Sequence, residues 1–524
     1  MIMKDFLKPT VSNYNKFTRR QFISACGACT ACFSASAFAG LSTFSSCKPR
    51  EKTRIRIIYS LHSEKQAQPD WPNMGFDFRP QMDRINQIVT SQCNDFEFTS
   101  SMATGPEEAA KILSGDANAS IDGYLVYQMN CWNQVVQTIA KSGKPVLYAD
   151  FQFGGSGGFL VYNAGFIRNM VPNIGYVASS NTNDLIEAIK CFNIVKKGGT
   201  VADFVAATAE VRLRNTLAPG DITCKPDPLD LLSISDCREK LKTSKILAVR
   251  NQESAVLDPI MTIPVEQIPF AEVNAAFEKA DKDKAKEIAQ GWINKAVEVI
   301  DVPTETIESS AAFYLGMKQV LKDHNANAIT INCLGGFYGG HIHAYPCLGF
   351  HQLNNEGLIG ACECDLESST TMVAFTTLTQ GRPGYISDPV IDTSKGQIIY
   401  AHCVGSNKVF GPEGSTNPYY IMTHSEDRQG ASVRSVMPTG YLTTSLKVNG
   451  NRKEIILHQA KAVDNDPDDR ACRTKLCGEP IGDIEKLFTM WDQWGWHRVT
   501  FFGDLKEPAY ALAEAMGYKI IEEA

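Results

Sequence analysis

The 524-residue chain has no excess of basic residues, and this absence limits its partners. Lysine and arginine together number 51 against 58 aspartates and glutamates, which gives a formal net charge of −7. Binding to nucleic acid depends on basic groups that neutralise the backbone phosphates. We therefore expect no nucleic-acid partner.

The sequence also lacks a run of about 20 strongly apolar residues, the length that a membrane-spanning helix needs. The most apolar early stretch, residues 24–44, is interrupted by four serines and two glycines. It follows Arg19 and Arg20, and this order resembles a twin-arginine export signal. We therefore expect residues 1–47 to direct export to the periplasm or to a membrane-anchored lipoprotein.

Two processing routes for this segment stay open. Ala37-Phe38-Ala39 fits cleavage after small residues, whereas Cys47 ends the apolar stretch and resembles a loose lipoprotein box. The position of Cys47 favours the second route. A lipid anchor would then be the only membrane partner.

Beyond residue 47 the sequence lacks repeated Cys-x2-Cys pairs, the spacing typical of zinc ribbons and iron–sulfur sites. The chain has 16 cysteines, but those after the first segment are scattered. We therefore expect neither centre and interpret most of these thiols as small buried groups. Cys472 and Cys477 leave a disulfide open, since such bonds persist outside the cytoplasm.

The composition, 44% apolar and 21% charged, is that of a folded globular protein long enough for two or three domains. Between residues 54 and 149 predicted strands alternate with predicted helices, which indicates a parallel, doubly wound sheet. After residue 358 extended segments separated by turns indicate a mostly antiparallel domain. We predict an α/β fold with a Rossmann-like αβ domain over 54–180, a second αβ domain over 181–357 and a β-rich C-terminal domain over 358–524.

Two local patterns within this scheme make definite predictions. The glycine-rich run 153–158 lacks the full dinucleotide spacing, so we predict a turn or an active-site loop that leads into an extended segment at 159–162. The charged, amphipathic stretch 274–300 predicts one long helix.

Chemistry-bearing residues concentrate near the C-terminus. Glu363 follows a strand-like stretch, Asp388 precedes Pro389 and is predicted on a turn, His402 ends a strand, and His497 begins another. Carboxylates on glycine-flanked strand ends are typical of sites for hard cations. Taken alone, Glu363 and the nearby Asp365 also suit a solvated helix start.

The order of motifs across the last 190 residues resembles the L-fucose isomerase/L-arabinose isomerase superfamily, in particular its divergent fucose-isomerase-like branch. The motifs are Pro-Cys-Leu-Gly-Phe, Asn-Asn-Glu-Gly, Ala-Cys-Glu-Cys-Asp, Gly-Arg-Pro, Asp-Pro, Ala-His-Cys, Cys-Arg-Thr and Trp-His-Arg. The resemblance implies an isomerase-like C-terminal domain that carries a metal site. It also implies a homo-oligomer, because relatives build their pockets between subunits.

This resemblance also assigns roles to residues. It implies Mn²⁺, or another divalent ion, held by Glu363, Asp388 and His497, with His402 as an extra ligand of the arabinose-isomerase type. The same two carboxylates would be catalytic, moving protons between an aldose and a ketose through an enediol. Aspartate at 388 departs from the arabinose-isomerase type and matches the fucose-isomerase type.

Three further residues are predicted to bind substrate. His343 lies in a glycine-preceded His-x-His run, which favours a pocket loop or an exposed turn over a metal pair. Arg473 would hold a sugar hydroxyl or acidic group, with a structural ion pair as the equal alternative. Trp496 would stack on a sugar ring, although part of its tryptophan cluster belongs in the core.

The sequence thus predicts an exported, Mn²⁺-dependent sugar isomerase acting on a sugar or sugar derivative. Isomerisation of free aldoses outside the cytoplasm is unusual, so two alternatives stay open. One is an epimerase or lyase that uses the same metal site on a modified sugar. The other is a carbohydrate-binding protein without catalysis, which would not require the metal.

Overall fold

A computed structural model of the chain describes residues 51–524. The predicted export signal, with Cys47, lies outside the described residues. Among the described helices, none combines the length and the apolar character needed to cross a membrane.

The first sheet is wholly parallel, with the strand order β2-β1-β3-β4-β5. Its central strands are nearly continuous runs of buried apolar residues, as expected for a sheet covered on both faces. The strands are β1 (Thr53–Ser60), β2 (Phe96–Ala103), β3 (Gly123–Gln128), β4 (Val146–Asp150) and β5 (Ile174–Val177).

Seven helices connect or follow these strands, and those after β5 still pack on the first sheet through Leu185, Phe192 and Phe204. The helices are α1 (Arg79–Gln92), α2 (Pro106–Asp116), α3 (Val135–Ala140), α4 (Ser156–Arg168), α5 (Thr182–Lys190), α6 (Phe192–Lys196) and α7 (Val201–Asn215).

Helix α4 contradicts the predicted extended segment at 159–162. Its first turn contains Gly157 and Gly158, which weakens the helical signal in the sequence. A Cβ atom added at Gly157 would lie 2.8 Å from both Cys131 Sγ and the Trp496 ring. The glycines therefore permit close packing at the start of a helix, and tertiary contacts outweigh the local preference.

The second sheet has the order β11-β10-β6-β8-β7, parallel except for the edge strand β7. Its strands are β6 (Ile246–Arg250), β7 (Ala255–Ile260), β8 (Ile263–Pro269), β10 (Ala328–Ile331) and β11 (Ile359–Cys362). The associated helices are α8 (Ile234–Thr243), α9 (Phe270–Glu278), α10 (Lys282–Lys295), α11 (Thr304–Asp323), α12 (Cys333–Tyr338), α13 (Cys347–Asn355) and α14 (Leu366–Leu378).

The single helix predicted over 274–300 is wrong, because two helices, α9 and α10, divide this stretch. Asp281 begins α10 as an N-cap and accepts hydrogen bonds from the backbone N–H groups of Asp283 and Lys284. A capped start of this kind ends the preceding helix and allows a change of direction.

The C-terminal strands form a six-stranded antiparallel barrel, closed by pairing of β16 with β17. The barrel order is β16-β19-β12-β13-β18-β17, and β20 adds to β17 in parallel. These strands are β12 (Tyr385–Asp392), β13 (Gln397–His402), β16 (Leu442–Asn449), β17 (Glu454–Asn465), β18 (Thr474–Pro480), β19 (Arg498–Phe502) and β20 (Lys519–Glu522).

A small third sheet joins β9 (Val299–Ile300), β14 (Tyr419–Met422) and β15 (Ser432–Ser435). The remaining helical elements are a 3₁₀ turn at Ile484–Phe488, α15 (Trp491–Trp494) and α16 (Lys506–Met516). Parallel αβ sheets followed by an antiparallel β-rich part confirm the predicted fold class, whereas the domain boundaries stay a prediction.

Candidate metal centre and pocket

A pocket of about 770 Å³ lies where strand ends of the two parallel sheets meet the barrel. In the first sheet, β1 lies between β2 and β3, so the strand order reverses there. Crevices at such reversals, beyond the carboxyl ends of the strands, are the usual ligand sites of open α/β sheets. Segments that follow β1 and β3 supply His62, Asp70, Cys131 and Trp132 to this pocket.

The second sheet delivers residues to the same pocket from its own carboxyl edge. Helix α12, which follows β10, contributes Leu334 and Tyr338. Glu363 follows β11 directly and has a positive φ of 65°. Such a conformation is uncommon for residues other than glycine and clusters at functional sites.

Three neighbouring barrel strands bring the other candidate ligands to this place. Asp388 of β12 pairs with Ala401, which precedes His402 at the end of β13. His497 immediately precedes β19, whose Arg498 pairs with Ser387. The strand register therefore brings together Asp388 and His497, which are 109 residues apart in the sequence.

Asp388 lies within a strand, so its predicted position on a turn is wrong. Pro389 cannot donate a hydrogen bond, which usually excludes it from central strands. Here the pairing of β12 with β19 runs from Tyr385 to Ser387, so Pro389 lies beyond its end. The strand therefore continues through Pro389.

The four predicted metal-site residues converge within a few ångströms. His497 Nε2 lies 3.1 Å from Asp388 Oδ1 and 3.4 Å from Glu363 Oε2. His402 Nε2 lies 3.6 Å from Glu363 Oε1. One ligand atom each from Glu363, His402 and His497 all fall within 4.8 Å of one another.

Polar atoms in this cluster are buried without hydrogen bonds of acceptable geometry. They are Asp388 Oδ1, His402 Nε2 and His497 Nε2. Burying such groups unsatisfied is costly, so each is expected to have a purpose. Together with a Glu363 side chain that keeps 29% exposure toward the pocket, their mixed oxygen and imidazole character fits a divalent cation such as Mn²⁺.

The hydrogen bonds at Nδ1 favour different tautomers for the two imidazoles. His497 Nδ1 lies 3.1 Å from Asp365 Oδ2, and the same carboxylate oxygen accepts a hydrogen bond from Lys447 Nζ at 2.7 Å. A proton on Nδ1 leaves a lone pair on Nε2, the usual arrangement of a metal-binding histidine. In His402, Nδ1 instead accepts the backbone N–H of Cys403 at 3.0 Å, which favours a proton on Nε2.

The charges in the cluster perturb one another. Burial alone would raise the pKa of Glu363, but His497 and His402 outweigh it and hold that pKa well below its ordinary value. Burial raises the pKa of Asp388 despite His497. Burial opposes the charged form of His497, yet Asp388 and Glu363 raise its pKa well above 6.5. These opposing carboxylate shifts are typical of functional sites.

The predicted substrate-binding residues occupy three different places. Trp496 lines the pocket, where its ring meets Trp132 edge-on at 6.1 Å. His343 does not line it and instead lies 3.4 Å from Glu278. Arg473 is buried, donates to the carbonyl of Thr423 at 2.8 Å and pairs with Asp469, as in the structural alternative.

The two cysteines for which a disulfide stayed open lie just before β18 and within it. Cys472 and Cys477 are both buried free thiols. Cys472 accepts a hydrogen bond from Ser425, whereas Cys477 pairs in the sheet with Ile399.

Sequence reasoning gave no definite role to several residues in and around the pocket. It placed Asp365 in an acidic pair with Glu363 that suits either a hard-cation site or a solvated helix start, whereas in the structure Asp365 caps α14 and orients His497. Its position two residues after Glu363 was the available signal. Glu426, Trp132 and Asp70 carried no motif, because their place depends on packing between distant segments.

Comparisons with known proteins give a distant similarity to sugar isomerases. The sulfoquinovose isomerase of Priestia aryabhattai is 27% identical over 133 residues, which are 24% of this chain and 30% of that protein. The sulfoquinovose isomerase of Alkalicoccus urumqiensis is 26% identical over 110 residues, or 21% of this chain and 25% of that protein. The chain thus matches less than a third of these relatives' length. No protein-family profile matches it.

Among solved structures, the XylFII molecule covers 58% of this chain and 92% of its own at 13% identity, with a TM-score of 0.16. A complex of the transcriptional regulator CelR with cellobiose is 12% identical, covers 54% of this chain and 68% of its own, and has a TM-score of 0.16. Scores this low carry no conclusion about fold or function.

Proposed function

We propose that this protein is a divalent-metal-dependent sugar isomerase that converts an aldose to a ketose, with Mn²⁺ as its ion. One observation carries the proposal. Buried, unpartnered atoms of Asp388, His402 and His497 face Glu363 at a pocket large enough for a monosaccharide. The similarity to sulfoquinovose isomerases supports the reaction class.

The residues present fit a divalent ion by charge and by ligand type. Glu363 and Asp388 would offset its two positive charges, and neutral His497 would add a nitrogen ligand through Nε2. Asp365, by accepting the Nδ1 proton of His497, would keep that nitrogen available. When bound, the ion supplies Lewis-acid polarisation of the sugar's carbonyl and neighbouring hydroxyl oxygens.

The two carboxylates differ in access, and this divides their roles. Glu363 keeps 29% of its side chain exposed, against 7% for Asp388. We assign to a Glu363 carboxylate oxygen the removal of the C2 proton and its return to C1, and to Asp388 the balance of charge beside it. Trp132 and Trp496 would bind a face of the sugar at the pocket mouth.

Metal analysis combined with an aldose and ketose panel tests the proposal. Purified protein should hold about one ion per chain, lose aldose conversion on chelation and regain it with Mn²⁺. A Glu413→Gln variant, changed at an exposed loop residue, provides the control. Bound metal with only C2 epimers or eliminated products would favour the epimerase or lyase alternative. Sugar binding without metal would favour the binding-protein alternative.

We also propose export by the twin-arginine route, with Cys47 as a lipid anchor, and assembly into a homo-oligomer. Both proposals rest on the sequence resemblances alone. Unchanged export after replacement of Arg19 and Arg20 by lysine would contradict the first. A monomeric mass by light scattering with full activity would contradict the second.

A further inference from the structure

An ordered loop reaches the pocket from the small third sheet. Residues 423–431 connect β14 to β15, and His424 donates its backbone N–H to the carbonyl of Gln429 at 2.7 Å. Arg473 holds the start of this loop through two bonds to Thr423, at 2.8 and 2.9 Å. The loop is thus held by the residue that immediately precedes β18.

Glu426 is the loop residue that lines the pocket, together with Glu363, Asp388 and His497. The backbone carbonyl of Glu426 accepts a hydrogen bond from Met74, which ties the loop to the segment after β1. Its side chain accepts a hydrogen bond from the Tyr338 hydroxyl at 2.7 Å. A third carboxylate is therefore positioned on the pocket from outside the metal-site cluster.

The surroundings of Glu426 favour reversible protonation. Burial is the main cause that raises its pKa to about 7, and the carboxylates of Asp70 and Glu363 add to it. His424 and the Tyr338 hydrogen bond act in the opposite direction. His424 itself pairs with Asp427 at 3.2 Å. A carboxyl group that changes charge near neutral pH suits proton transfer.

We propose that Glu426, positioned by Tyr338, is a further catalytic residue that transfers the hydroxyl proton of the substrate. This inference rests on the proposed isomerase function. As Glu363 moves the carbon-bound proton from C2 to C1, Glu426 accepts the proton from the O2 hydroxyl and returns a proton to O1. The O2–H bond breaks and an O1–H bond forms, so Glu426 ends in its starting charge state and no oxidant or reductant is consumed.

The test compares Glu426→Gln and Tyr338→Phe with the unchanged Mn²⁺-loaded protein on the aldose that it converts fastest. Glu426→Gln should lower kcat about 100-fold, the scale of general acid–base catalysis, while metal content stays at the wild-type level. The ionisation of Glu426 should also disappear from the pH profile of kcat/KM. Glu413→Gln serves as the matched control and should leave each of these readouts unchanged.

Tyr338→Phe separates catalysis from a merely structural role. Loss of the Tyr338 hydrogen bond removes one interaction that lowers the pKa of Glu426, so the corresponding limb of the pH profile should move to higher pH. Wild-type kcat and pH dependence in Glu426→Gln would overturn the inference and leave the isomerase proposal standing. Failure of the wild type to convert any aldose would overturn both.

Discussion

Two clusters of polar side chains include residues of the barrel, and the consecutive residues His497 and Arg498 belong to different ones. In the first, Asp388, His402 and His497 each leave a buried polar atom unpartnered beside Glu363. In the second, Arg498 donates to both carboxylate oxygens of Glu523, at 3.0 and 2.9 Å, and the side chains of both residues are fully buried.

The second cluster is satisfied throughout. His458 Nδ1 lies 2.8 Å from Glu523, and His458 Nε2 lies 2.9 Å from the Tyr400 hydroxyl. The Arg498 guanidinium also lies 4.0 Å from the ring centre of Trp491. The same residue types thus suit two purposes: a network with every group paired stabilises the barrel, and one with open positions could hold a ligand.

The largest change in free energy is expected for the stability of Glu523→Gln, because this substitution leaves Arg498 without its charge partner. Breaking a buried pair in this way costs about 3–5 kcal/mol in the free energy of unfolding. Urea unfolding measures the loss, and Mn²⁺ content should stay unchanged. An equal loss of metal would contradict the separation of the two clusters.

The pH dependence of this effect follows from the Glu523 pKa, which Arg498 and His458 lower to about 2 against the opposing effect of burial. A depressed carboxyl pKa contributes stability above its unfolded value of about 4.3, and that contribution is lost as the pH falls toward the folded value. The stability difference between wild type and Glu523→Gln should therefore shrink between pH 5 and pH 2.

The matched change in the metal-site cluster, Glu363→Gln, should instead lower metal affinity and leave stability nearly unchanged. It keeps the size of the side chain but removes one of two charges that would bind the ion. We expect Mn²⁺ affinity to fall about 100-fold or more, which corresponds to about 2.7 kcal/mol, and unfolding free energy to change by less than about 1 kcal/mol. Calorimetric titration measures the first quantity. Wild-type affinity in this variant would remove Glu363 from the site.

Asp365→Asn should lower metal affinity by an intermediate amount, since Asp365 would act on the ion only through His497. Loss of such outer partners typically lowers metal affinity about 10–100-fold, and we expect the lower end here because asparagine still accepts one hydrogen bond. Asp281→Asn, at the N-cap of α10, controls for the capping role because asparagine caps helices as well. Equal metal affinity in both variants would refute the orienting role.

His402→Gln should have the smallest effect on metal affinity, less than about 10-fold. The bond from Cys403 N–H to His402 Nδ1 favours a proton on Nε2, which makes His402 a hydrogen-bond donor more than a ligand. Metal titration of His402→Gln beside His497→Gln tests this order. A larger loss in His402→Gln would reverse the assignment of the two imidazoles.

The sequence predicted the fold class from its alternating elements, and the motif resemblance pointed to the four residues that converge. Their role as metal ligands stays a prediction. Sequence reasoning failed at Ser156–Arg168, where glycines in the first turn of α4 conceal a helix that depends on contacts with Cys131 and Trp496. It also failed at Asp281, whose capping role ends one helical pattern and begins another.

The residues that line the pocket could not be predicted from the sequence for a different reason. Glu426 contacts Tyr338, which is 88 residues away in the sequence. Trp132 follows a strand of the first sheet and contacts Trp496, which precedes a barrel strand. These contacts depend on how the two parallel sheets and the barrel pack together. No local periodicity or spacing encodes that packing.

Anomalous diffraction from crystals grown with Mn²⁺ tests the central claim most directly. The account predicts a single strong peak about 2.0–2.3 Å from a Glu363 oxygen, Asp388 Oδ1 and His497 Nε2. The peak should be absent in Glu363→Gln and present in Glu523→Gln. A Mn²⁺-soaked wild-type crystal without density between these three atoms, or with its ion elsewhere, would contradict the account.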